Sequence, residues 1–195
     1  MGQKVGVVLA GGRGTRLGRT KGDLSLEGRT LAQRAASVLW PHCGSVLISI
    51  AQGARNPAPD WPVIEDFPPP GRGPLAGIAA AFAASSDADL LVLACDYPRV
   101  GADLIGMLAD WSLEDVDLVM PIDGAGRDHP LVGSWSRRMQ PIINDALDDG
   151  RFRVHGVFPD CRVCRLRPEQ LLAMDVDRAL HNVNWPTDLE PYNRD

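Results

Sequence analysis

The apolar residues of this chain fall into short runs separated by longer stretches of helical period. Lys4 to Ala10 (KVGVVLA) is almost wholly apolar and runs into glycines, which predicts a buried strand rather than a helix. Thr30, with Gln33 three residues on, forms a capping box. Leu31, Ala35, Val38 and Leu39 then share one helical face until Pro41 stops it. Ser45 to Ile50 predicts a second buried strand, and Trp61 to Ile64 a shorter third that leads into Glu65 and Asp66. A loop rich in proline and glycine, PPPGRGPLAG, follows, and from it emerges a helix with Leu75, Ile78, Ala79 and Phe82 at i, i+3, i+4 and i+7. Ala88 to Ala94 is a fourth strand, Leu104, Ile105 and Leu108 mark a helix, and Leu118 to Ile122 is another strand.

Strands alternating with helices imply right-handed crossovers and a mostly parallel sheet, an α/β fold of Rossmann-like, three-layer type with helices on both faces. After Gly124 the rhythm changes. His129 to Trp135 reads as a strand, Arg137 to Leu147 as a helix, and Phe152 to Leu166 as irregular or antiparallel. A small antiparallel or irregular flap in the C-terminal half is therefore expected. The chain shows no internal repeat and no long linker, so residues 1–195 are expected to form one domain.

Charge narrows the chemistry. Twenty Lys and Arg against 25 Asp and Glu leave a net charge of −5, which argues against a duplex nucleic acid as partner. No apolar run approaches a membrane span, and the N-terminus lacks a secretory pattern, so no membrane partner and a cytoplasmic location are expected. Positive charge gathers instead in LAGGRGTRLGRTKGD, Leu9 to Asp23, where five glycines accompany Arg13, Arg16, Arg19 and Lys21. A glycine loop at the carboxyl end of a first strand can turn backbone N–H groups toward anionic oxygens, and its bare Cα atoms let a phosphate approach closely. Two familiar phosphate loops are missed. Leu17 stands at the third glycine of the dinucleotide fingerprint, and Lys21 is flanked by Thr20 and Gly22 rather than by Gly and Ser or Thr. Asp96 follows the apolar strand ending LLVLAC, which carries it to the ligand edge of an open α/β sheet, where it is a candidate Mg²⁺ ligand. Cys161 and Cys164 have C-x-x-C spacing but no second Cys or His pair close in sequence, so a structural role is expected for them. No nucleophile–base pairing can be read from the four histidines.

The loop pattern Leu9–Gly12, Gly14, Arg16, Gly18 and Lys21 resembles that of nucleotidyltransferases, which join a nucleoside monophosphate to a phosphorylated acceptor. VIED at Val63–Asp66, GPLAG at Gly73–Gly77, CDYP at Cys95–Pro98, His129-Pro130 and NVNWPTDLE at Asn182–Glu190 follow in order. Together these resemble the molybdenum cofactor guanylyltransferase family, across essentially the whole chain. The resemblance implies a nucleotide-diphospho-sugar-transferase-like fold and transfer of GMP from GTP to the terminal phosphate of molybdopterin or its molybdenum cofactor. Pyrophosphate would leave and Mg²⁺ would be the cofactor. It implies Leu9, Ala10, Gly11, Gly12, Gly14, Lys21, Ser49, Asp66 and Asp96 as GTP contacts, with Arg16, Lys21 and Asp96 in catalysis and Asp96 on the metal. Gly77, Asn182 and Asn184 would bind the acceptor. Transient contact with other proteins of cofactor biosynthesis is a further expected partnership.

Three positions depart from the family pattern: Thr20 before the loop lysine, Ser49 where Asn is common, and Trp185 in the closing motif. Guanylyl members tend to read Leu-Ala-Gly-Gly and cytidylyl relatives Leu-Ala-Ala-Gly. By resemblance Gly11 therefore favours GTP, its missing methyl leaving room for a purine edge. A cytidylyltransferase acting on the same or another small phosphorylated acceptor, and a nucleotide-binding domain without catalysis, remain the alternatives.

Overall fold

A computed structural model describes residues 4–11, 21–171, 174–183 and 188. Nine strands are described: β1 (Val5–Leu9), β2 (Ser25–Leu26), β3 (Arg29–Thr30), β4 (Ser45–Ile50), β5 (Val63–Glu65), β6 (Leu90–Ala94), β7 (Leu118–Pro121), β8 (Val132–Trp135) and β9 (Val163–Leu166). The α-helices are α1 (Leu31–Leu39), α2 (Pro74–Ala84), α3 (Ala102–Asp110), α4 (Met139–Asp148) and the single turn α5 (Val176–Ala179). Seven strands form one sheet in the order β5-β4-β1-β6-β8-β7-β9, and β2 and β3 make a separate antiparallel pair. Among the described residues, no helix is long and apolar enough to cross a membrane.

Alternation along the strands splits the core into two layers. Val8 of β1, Ile48 of β4 and Leu91 and Leu93 of β6 pack with α1 and α3. Val7, Leu90 and Val92 turn the other way and pack with α2 and α4. Strands buried on both faces read as continuous apolar runs, which is why KVGVVLA and LLVLA were legible as strands. The predicted capping box is present: Thr30 Oγ1 accepts from Gln33 N, and Gln33 Oε1 accepts from Thr30 N. Thr30 Oγ1 also donates to Pro57 O at 2.8 Å, tying the start of α1 to the loop after β4.

The C-terminal half departs from the expected flap. β8 lies inside the main sheet, antiparallel to both β6 and β7, and β9 is a parallel strand on the outer side of β7. All four β8 residues are buried, so their backbone groups had to be paired within a sheet rather than on a water-facing lid. Trp135 is fully buried, and its indole N–H donates to Pro130 O. The small antiparallel element is instead the β2–β3 pair that leads into α1.

Gly133 explains how β8 fits between its neighbours. A Cβ there would stand 2.6 Å from the backbone oxygen of Val119. Backbone in a central sheet cannot retreat cheaply, so Gly133→Ala should destabilise the protein by about 1–3 kcal/mol, the usual cost of overpacking. Urea unfolding followed by far-UV circular dichroism measures this, with the midpoint falling at unchanged slope.

Candidate active site

The parallel strands deliver their ends to one edge. Leu9 pairs with Ser49 on one side and with Ala94 on the other, so the chain leaves β1, β4 and β6 at the same height. Ala10 N donates to Ser49 O and Cys95 N to Leu9 O, which extends the pairing one residue past the strands. β5 adds Asp66 to this edge, its N–H donating to Ile50 O.

Ser49 and Asp66 form the first polar unit there. Ser49 Oγ donates to Asp66 Oδ1 at 2.6 Å. Burial pushes the Asp66 carboxyl above its ordinary range, and the Ser49 hydrogen bond only partly opposes that. Two glycines make room for it. A Cβ on Gly11 would lie 2.7 Å from Asp66 Oδ2 and 3.0 Å from Ala51 N. A Cβ on Gly77, in the first turns of α2, would collide with Ser49 Oγ and stand 3.0 Å from Asp66 Oδ1. The glycine at position 11 is thus required by the protein's own carboxylate and backbone. The space beside its Cα expected to take a purine edge is already filled.

Lys21 and Asp96 form the second unit. Lys21 Nζ donates to Asp96 Oδ2 at 2.9 Å, with roughly a fifth of each side chain exposed, 21% and 18%. Lys21 opens a short 3₁₀ turn, Lys21–Asp23, whose Gly22 lies against Ala10; a Cβ there would be 3.0 Å from that of Ala10. The close approach lays the turn over the end of β1 and brings the ammonium to the carboxylate. Asp96 Oδ1 is buried and has no hydrogen-bond partner among the described residues. A buried, unsatisfied carboxylate oxygen is costly, and it is the kind of atom a hard cation with oxygen ligands would satisfy. Asp96 therefore fits a Mg²⁺ ion. Gly12, Gly14, Arg16 and Asn184 lie outside the described residues.

Beyond Asp96 the edge opens into a cavity of about 740 Å³, lined among others by Tyr97, Asp123, Arg127, His129, His181 and Asn182. Val183 N donates to Asp96 O, which draws the closing motif with Asn182 to the carboxylate strand. Of the two described acceptor candidates, Asn182 lines this cavity, whereas Gly77 packs against Ser49 and Asp66. Sequence reasoning missed the polar chain that crosses the cavity wall. Tyr97 Oη is 3.2 Å from His129 Nδ1, and His129 Nε2 is 3.3 Å from Asp123 Oδ2. Asp123 also accepts from Arg127 Nε at 2.7 Å and from the N–H groups of Ala125 and Arg127. Burial alone would push Asp123 up, but these hydrogen bonds and the Arg127 charge outweigh it and hold the carboxyl at about 2. An ionised Asp123 only accepts, so His129 Nε2–H donates to it and Nδ1 is left for the Tyr97 hydroxyl. The signal was available: Asp123 follows a buried strand just as Asp96 does.

Other carboxylates are spoken for locally. Asp175 caps α5 by accepting from Arg178 N, and Asp177 accepts from Gly124 N at 2.7 Å. Cys161 packs against the α2–α4 layer and Cys164 against the α1–α3 layer.

The model of the MobA-like NTP transferase domain matches residues 6–157. The chain belongs to that family. It is a nucleotidyltransferase, as its relatives' names agree. A protein of Pelotomaculum thermopropionicum called probable molybdenum cofactor guanylyltransferase is 33% identical, across 96% of this chain and 90% of its own length. One of the same description from Bacillus subtilis is 32% identical, across 86% and 84%. Among solved structures, molybdopterin-guanine dinucleotide biosynthesis protein A from Archaeoglobus fulgidus superposes with a TM-score of 0.77 at 20% identity, covering 97% of each chain. A 2-C-methyl-D-erythritol 4-phosphate cytidylyltransferase from Thermus thermophilus reaches 0.69 at 17% identity, covering 96% of each. These two share the fold.

The depressed Asp123 carboxyl gives a test of the missed network. Its folded value lies below the ordinary 3.8, so its stabilisation is fully present above about pH 4 and is lost as pH falls toward 2. Asp123→Asn should cost about 2 kcal/mol near neutrality. The gap between variant and wild type should close as the pH of a urea-unfolding series is lowered from 4 to 2.

Proposed function

We propose that this protein transfers GMP from GTP to the terminal phosphate of molybdopterin, or of its molybdenum-loaded form, with loss of pyrophosphate and dependence on Mg²⁺. The observation that carries this reading is the Asp96 carboxylate, one oxygen on the Lys21 ammonium and the other buried with no partner among the described residues, at the edge where β1, β4 and β6 end. Support for guanine and for a molybdopterin acceptor comes from the names of the relatives, which match over nearly the whole chain.

An oxygen of the acceptor phosphate attacks the α-phosphorus of GTP. The bond from that phosphorus to the α–β bridging oxygen breaks, and its electron pair leaves with pyrophosphate. A phosphate monoester is largely anionic at neutral pH, so the attack needs no general base. The obstacle is repulsion between anions, and the remedy is positive charge and alignment. Lys21 supplies a fixed ammonium beside Asp96 for the triphosphate. Arg16 belongs to the same loop and is assigned the same task by resemblance. The Ser49–Asp66 pair takes the nucleoside side, and Gly11 and Gly77 leave that pair the room it needs. The cavity lined by Tyr97, His129 and Asn182 takes the acceptor. Mg²⁺, held by Asp96, would supply charge stabilisation for the reacting phosphates.

The deciding experiment incubates the protein with molybdopterin, Mg²⁺ and each nucleoside triphosphate in turn, and reads the dinucleotide by mass. A guanine dinucleotide with GTP is expected. A cytosine dinucleotide with CTP alone would replace guanylyl by cytidylyl transfer, and no product with any triphosphate would overturn the enzyme reading.

Two variants address the carboxylate–lysine pair. Lys21→Ala removes a charge-assisted contact worth about 1.5–3 kcal/mol, so GTP affinity measured by calorimetry should fall by roughly tenfold or more. Asp96→Asn keeps the shape and loses the charge. GTP should still bind in part, while dinucleotide formation should drop by on the order of 10²-fold or more and lose its response to Mg²⁺ concentration. Equal rates and equal Mg²⁺ response in Asp96→Asn would reduce Asp96 to a turn residue.

A further inference from the structure

The polar chain in the wall of the cavity beyond Asp96 has a direction. Asp123 can only accept, so it takes Nε2–H of His129, and Nδ1 of that ring takes the hydroxyl hydrogen of Tyr97. The inner part of the chain is well enclosed, with the His129 and Asp123 side chains 12% and 4% exposed. The Tyr97 and His129 rings meet edge to face, with centroids 5.7 Å apart. Tyr97 Oη has no other partner among the described residues. With its hydrogen committed to His129, it has only lone pairs left for the cavity. It can accept a hydrogen bond there and has none to give.

The rest of the wall has the same polarity. Its described lining holds four aspartates, Asp123, Asp128, Asp177 and Asp188, against one arginine, Arg127. Arg127 is turned to Asp123, and Asp128 is held on both oxygens by Arg165. Asp177 is met only in part. One oxygen accepts from Gly124 N, and the other takes no hydrogen bond or ion pair among the described residues. Asp123 and Gly124 are consecutive, so one turn fixes both acceptors, Tyr97 through His129 and Asp177 directly. A wall of lone pairs and carboxylate repels a phosphate and is completed by N–H donors.

We propose that Tyr97 and Asp177 set acceptor specificity by taking hydrogen bonds from N–H groups of the acceptor's heterocycle, with Asp123 and His129 positioning the Tyr97 hydroxyl. The inference rests on the acceptor reading given above. It adds which end of the acceptor enters the cavity and what is read there. The end that enters is a 2-amino-4-oxo pyrimidine ring, whose amino and ring N–H groups are donors. The phosphate stays outside, toward the Lys21 ammonium. Tyr97 directly follows Asp96, so a heterocycle against its hydroxyl leaves the phosphate beside the Lys21–Asp96 pair. A pterin and a guanine share this ring, and the test separates them.

The test is a fluorescence titration with 6-hydroxymethylpterin, set beside 6-hydroxymethyllumazine, which has a carbonyl where the pterin has its amino group. Wild type should bind the pterin about tenfold more tightly than the lumazine. Asp177→Ala, which removes an exposed side chain, should abolish most of that preference. Tyr97→Phe should weaken pterin binding several-fold, with both folds checked by circular dichroism. Nitrogen NMR of histidine-labelled protein near neutral pH reads the positioning role, a signature that packing alone would not give. His129 should carry its one ring proton on Nε2, and Tyr97→Phe should shift Nδ1 without protonating it. Added GTP should not displace the pterin. Absence of binding, equal binding of the two heterocycles, indifference to both substitutions, or a doubly protonated His129 would overturn the proposal. Displacement by GTP would also overturn it, by assigning the edge to guanine. The mass assay for the dinucleotide tests the transfer reading separately. Its failure leaves a positive titration standing, and a failed titration beside a positive assay overturns this inference alone.

Discussion

The pairing of β1 with β4 and β6 is the constraint on which the rest depends. One register, Leu9 against both Ser49 and Ala94, fixes where three chains leave the sheet. Because β1 is buried on both faces, a slip of one residue would turn Val7 and Val8 into each other's layers. The same slip would move Ser49 from Asp66 and Asp96 from Lys21. The core that stabilises the sheet therefore also sets the geometry of the polar edge.

That edge departs from the packing logic of the core beneath it. Asp66 is buried enough to be pushed up, and Asp96 keeps a buried oxygen without a partner among the described residues. Both carboxylates are held close to bare backbone, Asp66 by Gly11 and Gly77, and Asp96 by a turn that Gly22 allows to lie on Ala10. Uncompensated polar groups of this kind lower stability and are retained where a ligand completes them. Asp123 is the contrasting case. More deeply buried than either, it is met by Arg127, His129 and two backbone N–H groups. One carboxylate keeps an oxygen unmet among the described residues, and the other holds His129 and, through it, Tyr97.

Much of the fold and part of the site were legible in the residues. Strands buried on both faces are continuous apolar runs, and the capping box at Thr30 and Gln33 is a local hydrogen-bond pattern, so both are written in adjacent residues. Asp96 was found because it follows such a strand, whereas Asp66, at the end of the exposed strand β5, was found through its place in the VIED motif. The ordered motifs carried the family resemblance, and relatives about a third identical over most of the chain bear it out.

What tertiary structure alone decided involves residues far apart in sequence. Whether Val132–Trp135 joins the sheet or covers it depends on which neighbour pairs with its backbone, and a four-residue run does not encode that choice. The reason for Gly11 is a carboxylate 55 positions away in sequence, reached only after β4 and β5 align. His129 gains its partners from a turn and a strand end that are remote from each other in sequence. Periodicity reports which face a residue takes. Distances between faces are set by packing, and the chemistry of this protein lies in those distances.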